Sequence, residues 1–403
     1  MDISQDQRRK ISKEELAEIL MIHQRWLENG MGEAADLSYT DLPGANLRSV
    51  NLSKANLRGA NLVCATLWKA DFTDADLSGV DLSGANLWQA NLTAAHLVSA
   101  TLSGAILSEA TLERVELIKA ILPGANFQGA NLRDANFQQA VLPKANFKEA
   151  NLQRAILKGA DLQEAYLYRA DLQESDLQSA NLRGANLQGT NLQGTNLYRA
   201  HMEGASLQEA YLYRVIFHEA DLQGASLQGV NLQRADLQQA YLYRAELQSA
   251  DLQGADLREA KLQGSNLQAA QLQGCNLQGA NLSGTNLSAA DLTGVVFEGA
   301  DLQGANLQAA NLTTANLQQA NLQGANLTSA NLTDANLSDT YLYRTNLQSA
   351  ELLRVDLAGA RLQYTDLRKN DLRTAKGLSN GEIVLAIIDE QTLLPDYLLE
   401  IDG

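Results

Sequence analysis

Only two of the 403 residues are cysteine, four are proline and four are histidine, and aromatic side chains make up 5% of the chain. Cys64 and Cys275 are far apart in the chain, which excludes a disulfide framework and points to a cytoplasmic location. No apolar stretch approaches the ~20 residues needed to cross a bilayer, so no membrane helix is expected. The opening MDISQDQRRK is polar and charged, unlike a secretory signal. His23, His96, His201 and His218 are scattered. His201 and His218 could reach adjoining parts of a repeat, but without a cysteine or carboxylate cluster they make a poor metal site. No Ser–His–acid set can be assembled, and no glycine-rich loop opens a helix to hold phosphate. The chain is therefore expected to have no catalytic residue, cofactor or metal, and not to be an enzyme.

What the chain does contain is one apolar position every five residues. From Leu37 to Leu372 there are 68 such positions, held by 61 leucines, six phenylalanines (Phe72, Phe127, Phe137, Phe147, Phe217, Phe297) and Met202, with no break in register. Two residues earlier the series is alanine, with occasional Ser, Thr, Val and Cys275, until Asn370. Five residues advance an α-helix by about 500°, so these leucines would spiral around it. On a straight strand an odd spacing would send alternate leucines to opposite faces. The pattern fits a chain that turns a corner after each short extended piece, so that leucine and alanine always point inward. That is an all-β solenoid. Leu187, Leu207, Leu227, Phe127 and Phe147 are examples of the inward ladder. The period alone leaves the number of sides open. Unusual outward residues recurring at twenty (Trp68 and Trp88, Val98 and Ile118, Ile121 and Val141, Pro123 and Pro143) hint at four sides.

The A-[DN]-L-x-x units, such as ANLQA at 305–309 and ADLSG at 75–79, resemble the pentapeptide-repeat proteins. The resemblance implies a right-handed quadrilateral β-helix, here of about 17 coils, roughly 80 Å long at ~4.8 Å per coil. Three segments are expected: an N-terminal helical cap at 1–34, the repeat at 35–374, and a C-terminal cap at 375–403. Ser12 with Glu15 reads as a capping box opening a helix that Asn29-Gly30 ends, with Leu16, Ile19, Leu20, His23 and Leu27 on one face. A second short helix is expected near Ser379, with Ile383, Ala386 and Ile387 covering the last coil. The run Leu393, Leu394, Leu398 and Leu399 is either more cap or a dimer contact.

The resemblance also implies a function worth weighing, because some pentapeptide-repeat proteins mimic DNA and bind DNA gyrase. The net charge here is −16. Residues 1–34 carry −2 and 375–403 carry −5, leaving −9 on the repeat. Spread over roughly 80 Å, that is about one charge per 9 Å, against one per ~1.7 Å of duplex DNA. Register-breaking loops of the gyrase-protecting members are also missing. The reading is therefore a cytoplasmic, non-catalytic protein-binding scaffold or regulatory rod, with a DNA mimic acting on gyrase or topoisomerase as the alternative. A protein partner is expected, and neither nucleic acid nor membrane. A homodimer through the C-terminal tail or an apolar patch is a further option.

Outward positions are polar almost everywhere except between residues 63 and 156. The candidate interaction surface is Trp68, Trp88, Val98, Ile118, Ile121, Pro123, Val141 and Pro143, with Val63, Ile106 and Ile156 nearby. Contiguous exposed apolar surface usually marks an interaction site. Cover by the N-terminal segment, or a preference of β-branched residues for such positions, would also account for it. The YLYR units at Tyr166, Tyr211, Tyr241 and Tyr341 fall on different sides of a four-sided coil and read as surface residues copied with their unit.

Overall fold

The computed structural model describes residues 8–399, so residues 1–7 and 400–403 of the expected end segments, and the Leu399 side chain, lie outside the described residues. The chain divides into two compact units, Met1–His201 and Met202–Gly403.

In each unit the repeat is a stack of parallel bridges at an offset of twenty residues. They run from Asp36↔Asn56 to Asn181↔His201 in the first unit and from Ser206↔Ser226 to Asp356↔Lys376 in the second. Twenty residues per turn with a bridge every five gives four sides to the coil. Each bridge is one residue wide, so the sides are ladders of bridges and not strands of ordinary length.

One unit, residues 56–60, shows why the sequence repeats as it does. Asn56 N–H donates to the Ala35 carbonyl one coil back (2.9 Å), and Leu57 N–H to the Asp76 carbonyl one coil on (2.7 Å). Gly59 N–H donates to Ser78 (2.9 Å), and Ala60 N–H closes a turn onto Leu57 (3.0 Å). That leaves the N–H of Arg58 with no backbone acceptor, and the Asn56 side-chain Oδ1 accepts it at 3.1 Å. All five donors are thus used, and the fifth favours Asn or Asp before the leucine. The corner residue takes φ near +60°, for example +64° at Gly59 and +57° at Gln139. This is the third position of a type II turn, which explains the many glycines there.

The Asn amide nitrogens add a ladder between coils. Asn306 Nδ2 donates to Asn286 Oδ1 and Asn326 Nδ2 to Asn306 Oδ1, both at 3.2 Å, while Asn306 Oδ1 also accepts Gln308 N–H at 3.2 Å. Asn306→Ala removes all three and is expected to lower the stability of the second unit by about 1–2 kcal/mol. A urea unfolding midpoint equal to that of the wild type would show the ladder to be ornamental.

Inside the coils the leucines, including Leu187, Leu207 and Leu227, are fully buried, as are all six phenylalanines. Phe127 and Phe147 stack with ring centroids 4.9 Å apart and planes 3° from parallel. Phe137, from the opposite side of the coil, meets both edge-on at 6.0 Å. Where a threonine replaces the inward alanine it can bond to a carbonyl inside, as Thr195 Oγ1 does to Leu172 (2.8 Å) and Thr285 Oγ1 to Leu262 (2.9 Å), whereas the buried Ser265 hydroxyl has no partner.

Helix α1 spans Lys13–Asn29. Ser12 accepts Glu15 N–H (3.1 Å), and Gly30 ends the helix at φ +74°. The Glu15 carboxylate pairs with Arg9, so only half of the expected capping box is recorded. Arg9 bridges Thr40, which ties the start of the chain to the first coil. Of the expected face, His23 alone is fully buried. Its Nδ1 accepts Ala35 N–H at 3.0 Å, its Nε2 has no partner, and its ring stacks on Trp26 at 5.7 Å. Accepting at Nδ1 requires the neutral imidazole, and burial pushes the pKa below its ordinary 6.5. A folded pKa below the unfolded one means this contribution is complete above pH 6.5 and is lost as pH falls below it toward the folded value. Acidification should therefore loosen α1 before the repeat unfolds. Trp26 emission would report this, and His23→Phe should flatten that response.

At the other end α2 spans Asn380–Ile383, and the Glu382 carboxylate accepts from the Ser379 backbone N–H (3.1 Å) and hydroxyl (2.9 Å). α3 spans Asp396–Leu399. Leu367 N–H donates to Ile387 (2.8 Å) and Leu393 N–H to Asn370 (2.9 Å). Ile383 and Leu398 are buried and Ala386 is half-buried, but the Ile387 and Leu393 side chains are exposed. Ile387 thus meets the last repeat units with its backbone and not, as expected, with its side chain.

Candidate interaction surface

The outward apolar residues of the first unit sit on registers set by the bridges. Ile121 bridges Val141, and both are exposed, at 45% and 39%. Two residues on, Gly104 N–H donates to Pro123 and Gly124 N–H to Pro143 (3.0 and 2.9 Å). Across the Lys119-Ala120 corner, Gly79 N–H donates to Val98 and Ser99 N–H to Ile118, both at 2.9 Å. Val98, Ile118, Pro123 and Pro143 are half-buried. Trp68 and Trp88, also half-buried, lie one side further round with ring centroids 6.3 Å apart. Ile106 is exposed on the tryptophans' side, bridging Asn86, and Ile156 on the side of Val98 and Ile118, bridging Asn136.

The prolines have a physical cause that the sequence reading missed. Ile121 and Val141 stand where Asn or Asp normally accepts the N–H two residues on. Pro123 and Pro143 stand at that second position, and proline has no N–H to satisfy. The apolar pairs therefore leave no donor orphaned. The signal was available in the spacing Ile121–Pro123 and Val141–Pro143, but needed the turn geometry to be read.

Other candidates resolve into local pairs. In two of the YLYR units the arginine lies over the adjacent tyrosine ring, at 5.0 Å for Arg169 on Tyr168 and 5.1 Å for Arg344 on Tyr343. His96 Nδ1 is 2.8 Å from Glu116 one coil on. Cys64 is exposed and Cys275 buried, both free, and burial pushes the Cys275 thiol up to about 12. Some carboxylates are paired as well. Asp134 is held bidentately by Arg154 (2.7 Å), a hydrogen bond that lowers its pKa, and Asp366 and Asp371 are held likewise by Arg368 and Arg373. A cleft of about 580 Å³ between α1 and the first coil is lined by Leu16, Leu20, Leu42 and Pro43 with Ser12 and Asp41, and by no histidine or cysteine. No helix among the described residues is long and apolar enough to cross a membrane.

The family model for pentapeptide repeats matches in overlapping copies from residue 33 to 373. Among solved structures the chain is similar to HetL of the cyanobacterium Nostoc, a protein involved in heterocyst differentiation regulation. That similarity is 30% identity over 69% of this chain and 89% of HetL, with a TM-score of 0.21. It is also similar to a thylakoid-lumen protein of Arabidopsis thaliana (31% identity, 23% of this chain, 68% of that one, TM-score 0.20). A third is QnrB1, a plasmid-mediated fluoroquinolone resistance protein (20% identity, 44% of this chain, 87% of that one, TM-score 0.26). A search of the curated proteins matched none. Pentapeptide repeat proteins form right-handed quadrilateral β-helices and are generally structural or regulatory, not enzymatic. With its repeat matched from end to end by the family model, this chain belongs to the pentapeptide repeat family.

Proposed function

We propose that the chain is a non-catalytic, cytoplasmic protein-binding scaffold or regulatory protein, and that the Ile121–Val141 column with Trp68, Trp88, Val98, Ile118, Pro123 and Pro143 is where a protein partner or a second copy binds. The observation that carries the reading is the exposure of Ile121 and Val141 at positions where the fold prefers Asn or Asp. Apolar residues there add nothing to the core, so their use calls for another purpose. As part of the same proposal, residues 1–34 and 375–403 are covers over the open edges of the repeat. The unbroken register supports about 17 right-handed turns in the whole chain. The cytoplasmic assignment rests on two free thiols. The sparse net charge of the repeat, about one per 9 Å against one per ~1.7 Å of duplex DNA, weighs against DNA mimicry.

The test is Ile121→Ser combined with Val141→Ser. Unfolding free energy should stay within about 0.5 kcal/mol per site, because neither side chain is in the core. Capture of the native partner, or the mass of a self-associated form, should fall. Unchanged capture and mass would sink the proposal.

A further inference from the structure

Residues 42–70 contain no aspartate or glutamate but four cations, Arg48, Lys54, Arg58 and Lys69. At twenty residues per turn this is nearly a turn and a half of positive side chains on a chain of net charge −16. Arg48 and Lys69 share a side of the coil with the two tryptophans. The bridges Asn46↔Thr66 and Thr66↔Asn86 place residues 48, 68 and 88 at one register of three successive turns. The indole planes are inclined at 50°. Lys69 Nζ lies 5.8 Å from the Trp68 centroid and 5.6 Å from that of Trp88, and the Arg48 guanidinium carbon is 5.8 Å from Trp68.

Elsewhere in the chain many cations face carboxylates. Arg154 holds Asp134 at 2.7 Å, Arg258 holds Asp256 at 2.6 Å, and Lys144 lies 3.4 Å from Glu164. Among the described residues Arg48 and Lys69 have no ion-pair partner. Their side of the coil carries no acid until Glu109, which binds Gln89 at 2.7 Å. Two half-buried tryptophans beside unpaired cations combine the residue types that dominate binding energy at protein interfaces. Their charge is complementary to a negative ligand.

We propose that this side docks a short acidic peptide segment of a protein partner, its carboxylates on Arg48 and Lys69 and an apolar side chain on the Trp68–Trp88 pair. The inference rests on the scaffold reading and adds the partner's chemistry at the tryptophan part of that surface, one side of the coil round from the Ile121–Val141 column. A short segment fits within the positive belt, while acids beyond it are screened over about 8–10 Å. Paired indoles beside cations also suit single-stranded nucleic acid, but a polyphosphate strand would run from the belt onto the acidic remainder of the chain.

The experiment uses the full-length protein and a short glutamate-rich peptide with one central phenylalanine. Controls are the same peptide with lysine for every glutamate and an oligothymidylate of similar length. The acidic peptide should shift tryptophan emission and bind, salt-sensitively, and the lysine peptide should not. Trp88→Ser, and separately the double variant Arg48→Gln with Lys69→Gln, should each weaken binding about tenfold or more. The double variant leaves every aromatic in place, and an unchanged unfolding midpoint checks its fold. Gln228→Ala, in the second unit, should bind the peptide as wild type does. No binding to wild type, equal binding by the Arg48/Lys69 variant, or tighter binding of oligothymidylate would each overturn the inference. Loss of partner capture only in the Ile121/Val141 variant would leave the scaffold reading standing without it.

Discussion

Leu227→Asp is expected to abolish the cooperative unfolding transition of the second unit, at a cost above about 5 kcal/mol. Leu227 is fully buried, its N–H donates to Glu246 one coil on at 2.7 Å, and Leu207 and Leu247 lie in the same column. Among the described residues no cation faces the interior of the coils, so the new carboxylate would be charged without a partner or neutral with its hydroxyl unsatisfied. A solenoid is held by contacts between neighbouring coils, so a defect at one turn weakens two interfaces. The control is Gln228→Ala, one residue on. Gln228 Oε1 has no partner, and the change should stay within about 0.5 kcal/mol. Equal effects of the two substitutions on urea unfolding would show the inward and outward assignment to be wrong.

Phe137→Ala should cost about 3–5 kcal/mol in the first unit, as removal of a large buried side chain leaves a cavity the coil cannot close. Phe137 is the edge-on member between the stacked rings of Phe127 and Phe147, and the hydrogen bonds between coils hold the backbone in place around it. Phe137→Leu should recover most of the loss, because leucine is the residue that nearly every other unit accepts there. A Phe137→Ala variant that melts like wild type would mean that the aromatic trio does not contribute to the core as a packed cluster.

The fold was legible because one requirement repeats without exception. A side chain that must enter a narrow column can only be apolar, and Leu37 to Leu372 records that at every fifth residue. The four-sided turn was hinted at by Trp68 and Trp88 and by Pro123 and Pro143, and the bridges at an offset of twenty establish it. The work of the Asn and Asp residues was only half visible. Their recurrence before the leucine in A-[DN]-L-x-x was plain, but that Oδ1 accepts the one N–H the backbone leaves over depends on turn geometry. His23 was read as one member of a helix face, and nothing in the sequence marked it as the acceptor for Ala35 N–H. The interaction surface was legible as a list of outward apolar residues. Which of them stand clear, as Ile121 and Val141 do, and which are half-covered, as Val98 and Ile118 are, depends on neighbours in adjoining turns. The absence of acids from residues 42–70 was in the sequence all along, but it gains meaning only once Arg48 and Lys69 are seen beside Trp68.

The central claim is that the Ile121–Val141 column serves binding and not folding. Sedimentation velocity of the wild type and of the Ile121→Ser, Val141→Ser variant, each alone and with the captured partner, tests both halves at once. The account predicts an unchanged sedimentation coefficient for the variant's folded monomer, together with loss of the complex or of the self-associated species. A variant monomer that sediments as an expanded chain, or one that still forms the wild-type complex and mass, would contradict it.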